Sequence, residues 1–418
     1  MKTILSRTLG ILFFCLLSGL APCRAEYALC DGDRVVFLGD SITAARRYDR
    51  IVENFTLLRF PTRRVQFFNA GKGGDTAAGG LERLERDVFS RGATVAIVAF
   101  GTNDIGWGMK ADEEHKQKYL SAIRGIVEAC GKRKVRMFIC SEPITNEAPD
   151  RAENGFLQKM CDEGLEIARA LGAGTIDVQR PMREVQKRVL AHNAMINDPA
   201  KLTTLHVADG VHLNELGHMA MAYAILKGLG APAEVSAVKI DAKALALIAA
   251  EGCKVTDLRG AKEIEFDRLD EGWPINFGAF GALNFRYIPF PAELGRYMLT
   301  VSGLDAGSYE VLAGNRKLGK FSAKQLAAGM NIAFSTANAW EPGGPWDAQA
   351  AALSKVTDAR YEITGTQWYA EHFLAEHPAI ESLRSDSARV VEQLDSLQRA
   401  VAKPFTIHFL IRPAGDPQ

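Results

Sequence analysis

Between residues 33 and about 230, short β-branched runs alternate with longer stretches whose apolar positions recur at helical spacing. Runs 35–38, 65–68, 95–100, 135–140 and 175–177 predict strands, and segments 81–89, 119–129 and 155–171 predict helices between them. Strand and helix in regular alternation mean a parallel sheet covered on both faces, so the expected fold is a three-layer α/β/α domain around a five-stranded parallel sheet. In such sheets the ligand crevice opens at the carboxyl ends of the strands. The first strand runs straight into Gly39-Asp40-Ser41, which places a serine hydroxyl at that crevice.

Beyond about residue 235 the pattern changes. "YMLTVSGLDAGSYEVLAGNRKLGKFS" is a series of short strands punctuated by glycine turns, followed by the loop "NAWEPGGPWD", a charged helical stretch over about 367–402, and a closing strand in "FTIHFLIRP". The expected organisation is therefore an α/β domain over 26–232 and a smaller β-rich domain with a long helical segment over 233–418. Trp340 and Trp346 in the loop can stack on sugar rings or pack within their own domain.

Residues 1–25 have the layout of an export signal, with Lys2 and Arg7 before the apolar run 9–20 and small residues at the cleavage-defining positions Cys23 and Ala25. The expected location is periplasmic or secreted. A lipoprotein cleaved before Cys23 fits less well, because Pro22 precedes that cysteine. No later stretch has the eighteen or so apolar residues needed to span a bilayer. The full chain has 50 basic and 50 acidic residues, so it lacks the basic excess that holds nucleic acid. Cys30, Cys130, Cys140, Cys161 and Cys253 follow the signal; one pair could close in an oxidising compartment, but no CxxC pattern is present, and Cys140 lies in an apolar run expected to bury it.

Other strand ends carry matching chemistry. "NAGKGGDT" (69–76) follows the second strand with glycines that allow close backbone approach, "FGTNDIGWG" (100–108) follows the third with the Asn103 amide, and "VADGVHLNELGH" (207–218) brings Asp209 and His212 three residues apart, the spacing of one helical turn. A serine needs an imidazole to take its proton, and the imidazole needs a carboxylate to fix its tautomer. Ser41, His212 and Asp209 form such a set, and the Ser41 N–H, the Gly74 N–H and the Asn103 side chain can receive an oxyanion.

These four blocks, in this order, resemble the SGNH or GDSL-like hydrolase superfamily. The resemblance implies a flavodoxin-like fold, Ser41 as nucleophile, Gly74 and Asn103 as oxyanion donors, His212 as base and Asp209 as its orienting acid, with no cofactor and no metal. It further implies a small-molecule or polysaccharide ester as substrate, an O-acetyl ester of a carbohydrate being the first expectation and a lipase or arylesterase substrate the alternative. A glycan-binding protein that keeps the fold without turnover is a third reading. The sequence departs from the family where Arg46 and Arg47 follow the serine block, so a substrate rim bearing one of these charges is expected.

Each residue also has a plainer role. Ser41 fits a helix N-cap, Asp209 can cap the turn bearing His212, and Asp40, Asp75 and Asp104 suit loop-holding bonds. His218 suits packing. His206, Asp209 and His212 have metal-binding spacing but lack the accompanying DxH and GDxxD motifs, and "GNRKLGKF" has Phe321 where a phosphate-binding loop needs Ser or Thr, so it predicts a hairpin turn instead.

Overall fold

The structure is a computed structural model that describes residues 27–260 and 262–415. The export signal expected over 1–25 lies outside the described residues. Strands β1 (Arg34–Gly39), β2 (Gln66–Gly71), β3 (Val95–Ala99), β4 (Arg136–Cys140) and β5 (Gly174–Ile176) pair in parallel in the order β2-β1-β3-β4-β5. Each overlaps the run that predicts it. The order reverses direction between β1 and β3, and the loops leaving those two strands diverge to open the crevice.

The consecutive apolar residues of β1 serve both faces. Val35 and Phe37 enter one core with Phe67 and Ile97, whereas Val36 and Leu38 enter a second with Val98 and Ile139. Helices Tyr48–Arg59, Gln179–Asn193 and Glu215–Gly228 cover the first face; Ala77–Glu82, Glu113–Lys132 and Phe156–Ala170 cover the second. The helix expected over 81–89 is broken into Ala77–Glu82, Leu84–Asp87 and a 3₁₀ turn, because Arg83 leaves helical geometry to send its side chain inward. Helices Tyr48–Arg59 and Gln179–Asn193 escaped the sequence pattern. Asp49, Glu53, Asn54, Thr56 and Arg59 on the first, and Gln179, Arg183 and Gln186 on the second, are buried polar residues interleaved with the apolar stripes Tyr48, Val52, Phe55, Leu58 and Met182, Val185, Val189, which they blur.

The rest of the chain forms two further sheets. One contains β6 (Glu234–Asp241), β7 (Ala246–Glu251), β10 (Arg296–Ser302) and β13 (Met330–Asn331); the other contains β8 (Cys253–Gly260), β9 (Ile264–Asp270), β11 (Ser308–Ala313), β12 (Arg316–Ser322) and β14 (Ile407–Pro413). Val238 and Leu299 of the first share a core with Phe266, Val311 and Phe409 of the second. The expected hairpin joins β11 to β12, with Gly314 at φ +58°. The helical stretch predicted over 367–402 is corrected to two helices, Pro345–Phe373 and Ile380–Ala402. Pro378 lies in the break between them, where its missing N–H and its restriction of His377 prevent a continuous helix. Trp346 is buried, donating its indole N–H to the Ala333 carbonyl at 3.0 Å, while Trp340 stays exposed against Phe280 at 5.8 Å between centroids.

This helical pair grips the Tyr48–Arg59 helix through polar groups. Glu53 accepts from Arg360 and, at 2.7 Å, from Gln398, while Thr357 donates to Asn54 at 2.6 Å and Arg50 pairs with Asp358 at 2.7 Å. Burial raises the Glu53 pKa, and the Arg360 charge opposes that rise. Arg360→Leu would leave Glu53 buried without its cation, and is expected to lower the unfolding free energy in urea by about 3–5 kcal/mol. Adding Glu53→Gln should recover part of that loss; a loss under about 1 kcal/mol for the single variant would show that this pair does not hold the helices together.

Candidate active site

Ser41 opens the short helix Ser41–Ala44 directly after β1. Asp40 caps it by accepting the Ile42 N–H at 2.9 Å, so the neighbour of Ser41 fills the capping role and leaves the serine hydroxyl free for other bonds. The turn is held against β2 at close range: a Cβ on Gly71 would lie 2.1 Å from the Ala44 nitrogen. Asn69 at the end of β2 donates to the Thr43 carbonyl and to Asp49, both at 2.7 Å.

The four loops meet as the sequence predicts. Ser41 Oγ lies 2.8 Å from His212 Nε2, and His212 Nδ1 lies 2.7 Å from Asp209 Oδ2. Asp209 and His212 do not share a helical face, however. They occupy a tight loop ahead of the Glu215–Gly228 helix, in which Asp209 Oδ1 accepts the Val211 and His212 N–H groups at 2.8 and 2.9 Å. Those backbone bonds, with the imidazole contact, hold the Asp209 carboxyl down to about 2. The carboxylate therefore remains ionised across the neutral range, with one oxygen shaping the loop and the other fixing the ring. The loop is tied down elsewhere by Asn146 N–H on the Gly210 carbonyl at 2.7 Å and by Asn214, which caps the following helix.

Asn103 follows β3. Its amide nitrogen lies 3.1 Å from Asp40 Oδ2 and 3.0 Å from the Asp75 carbonyl, joining the loops after β1, β2 and β3. Gly74 is exposed at φ +71°, a conformation costly for residues with a Cβ. Among the described residues, neither the Ser41 nor the Gly74 N–H has an intramolecular acceptor. Arg46 and Arg47 part company. Arg46, at φ +54°, donates to the Tyr361 carbonyl at 3.1 Å and packs beside Gly365, whereas Arg47 faces solvent with Glu215 4.0 Å away. Only Arg47 presents its charge at the surface.

Several residues that shape the site carry no distinctive sequence signal. Arg83 is buried and donates to the carbonyls of Gly39 and Ala70 at 2.9 and 2.6 Å while pairing with Asp75 at 2.6 Å and Asp87 at 2.9 Å. In sequence it looks like its neighbour Arg86. Glu142, after β4, is wholly buried behind Asp40; burial raises both carboxyls, Glu142 well above the ordinary range. Trp107, between two glycines, donates its indole N–H to Asn103 Oδ1 at 2.9 Å.

The candidates for other chemistry have local roles. His206 is buried with Nε2 2.8 Å from the Ile144 carbonyl, and His218 is buried in a stack with Tyr48. The described residues bring no three metal-ligating side chains together. All five described cysteines are free, with Cys130, Cys140 and Cys161 buried and Cys30 exposed.

Asp104 is the buried acid with the clearest consequence. Its Oδ1 accepts the Ala77 N–H at 3.0 Å, its Oδ2 has no partner, and burial, with the Asp40 and Asp75 charges adding to it, pushes its pKa up to about 7. A folded-state pKa above the unfolded value of about 3.9 gives stability that is complete below that value and lost as pH rises through about 7. Asp104→Asn keeps the bond to Ala77 without the ionisation. Its melting temperature relative to wild type should therefore rise between pH 5 and pH 8.5, and an unchanged difference across that interval would show that Asp104 titrates normally.

Residues 37–220 match the GDSL-like Lipase/Acylhydrolase family. No curated protein matches the chain. Among solved structures, BT4096, a gut microbial diltiazem-metabolizing enzyme, superposes with a TM-score of 0.80 at 24% identity, covering 94% of this chain and 100% of its own, so the fold is shared beyond the α/β region. Axe2, an acetylxylan esterase from Geobacillus stearothermophilus, aligns at 21% identity over 49% of this chain and 96% of its own, with a TM-score of 0.41. LAE5, an alpha/beta hydrolase enzyme from the metagenome of Lake Arreo, Spain, aligns at 24% identity over 49% of this chain and 98% of its own, with a TM-score of 0.40. The family match spans the loops that bear Ser41, Asn103 and His212, so the α/β region of this chain is similar to the GDSL-like Lipase/Acylhydrolase family in the segments that carry the candidate chemistry.

Proposed function

We propose that the chain is an exported serine esterase that removes acyl groups, acetyl first among them, from carbohydrate esters. The observation that carries the reading is the continuous hydrogen-bonded line from Ser41 Oγ through His212 to Asp209 at the carboxyl edge of the sheet. His212 Nε2 takes the Ser41 proton as Oγ attacks the ester carbonyl, and Asp209 stabilises the imidazolium. The oxyanion is met by the Ser41 and Gly74 N–H groups and by Asn103 Nδ2, which then shares a hydrogen now directed at Asp40. His212 returns the proton to the leaving alcohol, and water repeats the sequence on the acyl-enzyme. The same intact line favours turnover over glycan binding alone.

Export is supported by the basic start, apolar run and small-residue cleavage site in residues 1–25. No described helix is long and apolar enough to cross a membrane. The division into a catalytic unit over 26–232 and an accessory unit over 233–418 is part of the proposal. A carbohydrate substrate is supported by the exposed Trp340, which walls a cavity of about 470 Å³ with Asn276, Phe277, Phe280 and Glu341 and offers an aromatic face to a sugar ring. Any preference for an anionic glycan rests on Arg47 alone, since Arg46 is turned toward the helix Pro345–Phe373. Aryl esters are the second reading, favoured by Trp107 and Met109, which are 49% and 88% exposed in the loop after β3.

Release of acetate from acetylated xylan, compared with hydrolysis of nitrophenyl acetate, separates the two substrates. The carbohydrate reading expects the higher kcat/KM on the glycan; a clear preference for the aryl ester would replace it with the second. On either substrate, Ser41→Ala should lower kcat by at least about 10⁴-fold with the fold intact, and activity within about tenfold of wild type would remove Ser41 from the mechanism.

A further inference from the structure

The loop after β3 holds a residue that touches two of the groups just assigned. Trp107 sits at φ +57° and ψ +32° between Gly106 at +52° and Gly108 at +92°. Left-handed backbone is uncommon and unfavourable for a bulky side chain, so the surroundings must fix it. Here the Trp107 N–H closes on the Thr102 carbonyl at 2.9 Å, and Gly106 and Gly108 bond back to Asn103 and Ile105. The result directs the indole two ways. Its N–H reaches Asn103 Oδ1 at 2.9 Å, and its ring meets the His212 imidazole edge to face, with centroids 5.6 Å apart and planes at 75°. Half of the side chain remains exposed, so core packing does not account for the conformation.

We propose that Trp107 is a positioning residue for oxyanion stabilisation: it locks the Asn103 amide with Nδ2 toward the reacting carbonyl and braces the ring of His212. The proposal rests on the serine esterase reading. Asn103 Oδ1 has the indole N–H as its donor, and Nδ2 faces two acceptors, Asp40 Oδ2 and the Asp75 carbonyl. With the oxygen end anchored, the amide plane is fixed before substrate arrives. Without the indole N–H, Nδ2 is held only by its two acceptors, and the amide pivots away from the position where charge develops. Charge stabilisation of this kind depends on donors that need no rearrangement during reaction, so the loss falls on the transition state rather than on substrate binding.

Trp107→Phe tests this, because it keeps an aromatic ring against His212 and removes only the donor. On nitrophenyl acetate kcat should fall about threefold to tenfold, the worth of one neutral hydrogen bond, with KM within about twofold. In an Asn103→Ala background, itself slower by about 10²- to 10³-fold, the same substitution should change kcat by less than about twofold, because the amide it positions is gone. Wild-type kcat in Trp107→Phe, or an equal loss in both backgrounds, would overturn the proposal. Trp107→Phe should also keep labelling by a fluorophosphonate at Ser41, so a failure confined to Trp107 is distinguished from failure of the serine reading, in which wild type itself would not label. Wild-type kcat in Asn103→Ala would overturn both the oxyanion role of Asn103 and the role of Trp107.

Discussion

One buried guanidinium fixes the geometry on which the active-site edge depends. Arg83 donates to the last carbonyl of β1, just before the Asp40-Ser41 turn, and to the Ala70 carbonyl of β2, while its charge is met by Asp75 and Asp87. The Gly39 carbonyl also accepts the Lys72 N–H at 3.0 Å, so the ends of two parallel strands are tied both to each other and to the glycine loop. Asp75 then passes the constraint on: its carbonyl accepts from Asn103, whose amide also reaches Asp40. Three loops that diverge from the sheet become one polar unit. The fourth, with Asp209 and His212, is shaped by its own backbone bonds and joins the others where the imidazole meets Ser41.

The opposite side of the Ser41 turn is held by the C-terminal region. Arg46 and Arg50 reach the helix Pro345–Phe373, and Glu53 binds Arg360 and Gln398. The Tyr48–Arg59 helix is thus enclosed between the sheet and the helical pair, with Asn69 linking Asp49 to the turn that bears the serine. The C-terminal segment is a structural wall of the catalytic region. Its removal would expose Glu53 and Asp49, acids whose pKa values are raised by burial in the intact chain.

The parallel sheet and the four loops were legible because each rests on local chemistry: apolar runs that end in glycine, and polar groups at strand ends. Ser41, Asp209 and His212 come together at the strand ends, although a backbone-bonded loop, and not the helical turn that the spacing implies, pairs Asp209 with His212. What stayed hidden was chemistry that depends on distant partners. Arg83 cannot be told from Arg86 until the carbonyls it meets are in place, and the apolar stripe of the Tyr48 helix is blurred by buried polar residues whose partners lie more than 300 residues away in the chain. The sequence does not separate Arg46 from Arg47 for the same reason, since the Arg46 acceptor, the Tyr361 carbonyl, belongs to the other end of the chain. Trp107 carries no signal of its own in a glycine-flanked loop, where only the folded backbone turns its indole toward Asn103.

Inactivation by a phosphonate ester, followed by peptide mass mapping, tests the central claim most directly, because it reads the identity of the nucleophile and not merely the loss of activity. Ser41 hydrogen-bonded to His212 predicts stoichiometric inactivation with one adduct, on the peptide that contains Ser41. An adduct on a different residue, or continued ester hydrolysis with no adduct formed, would contradict it.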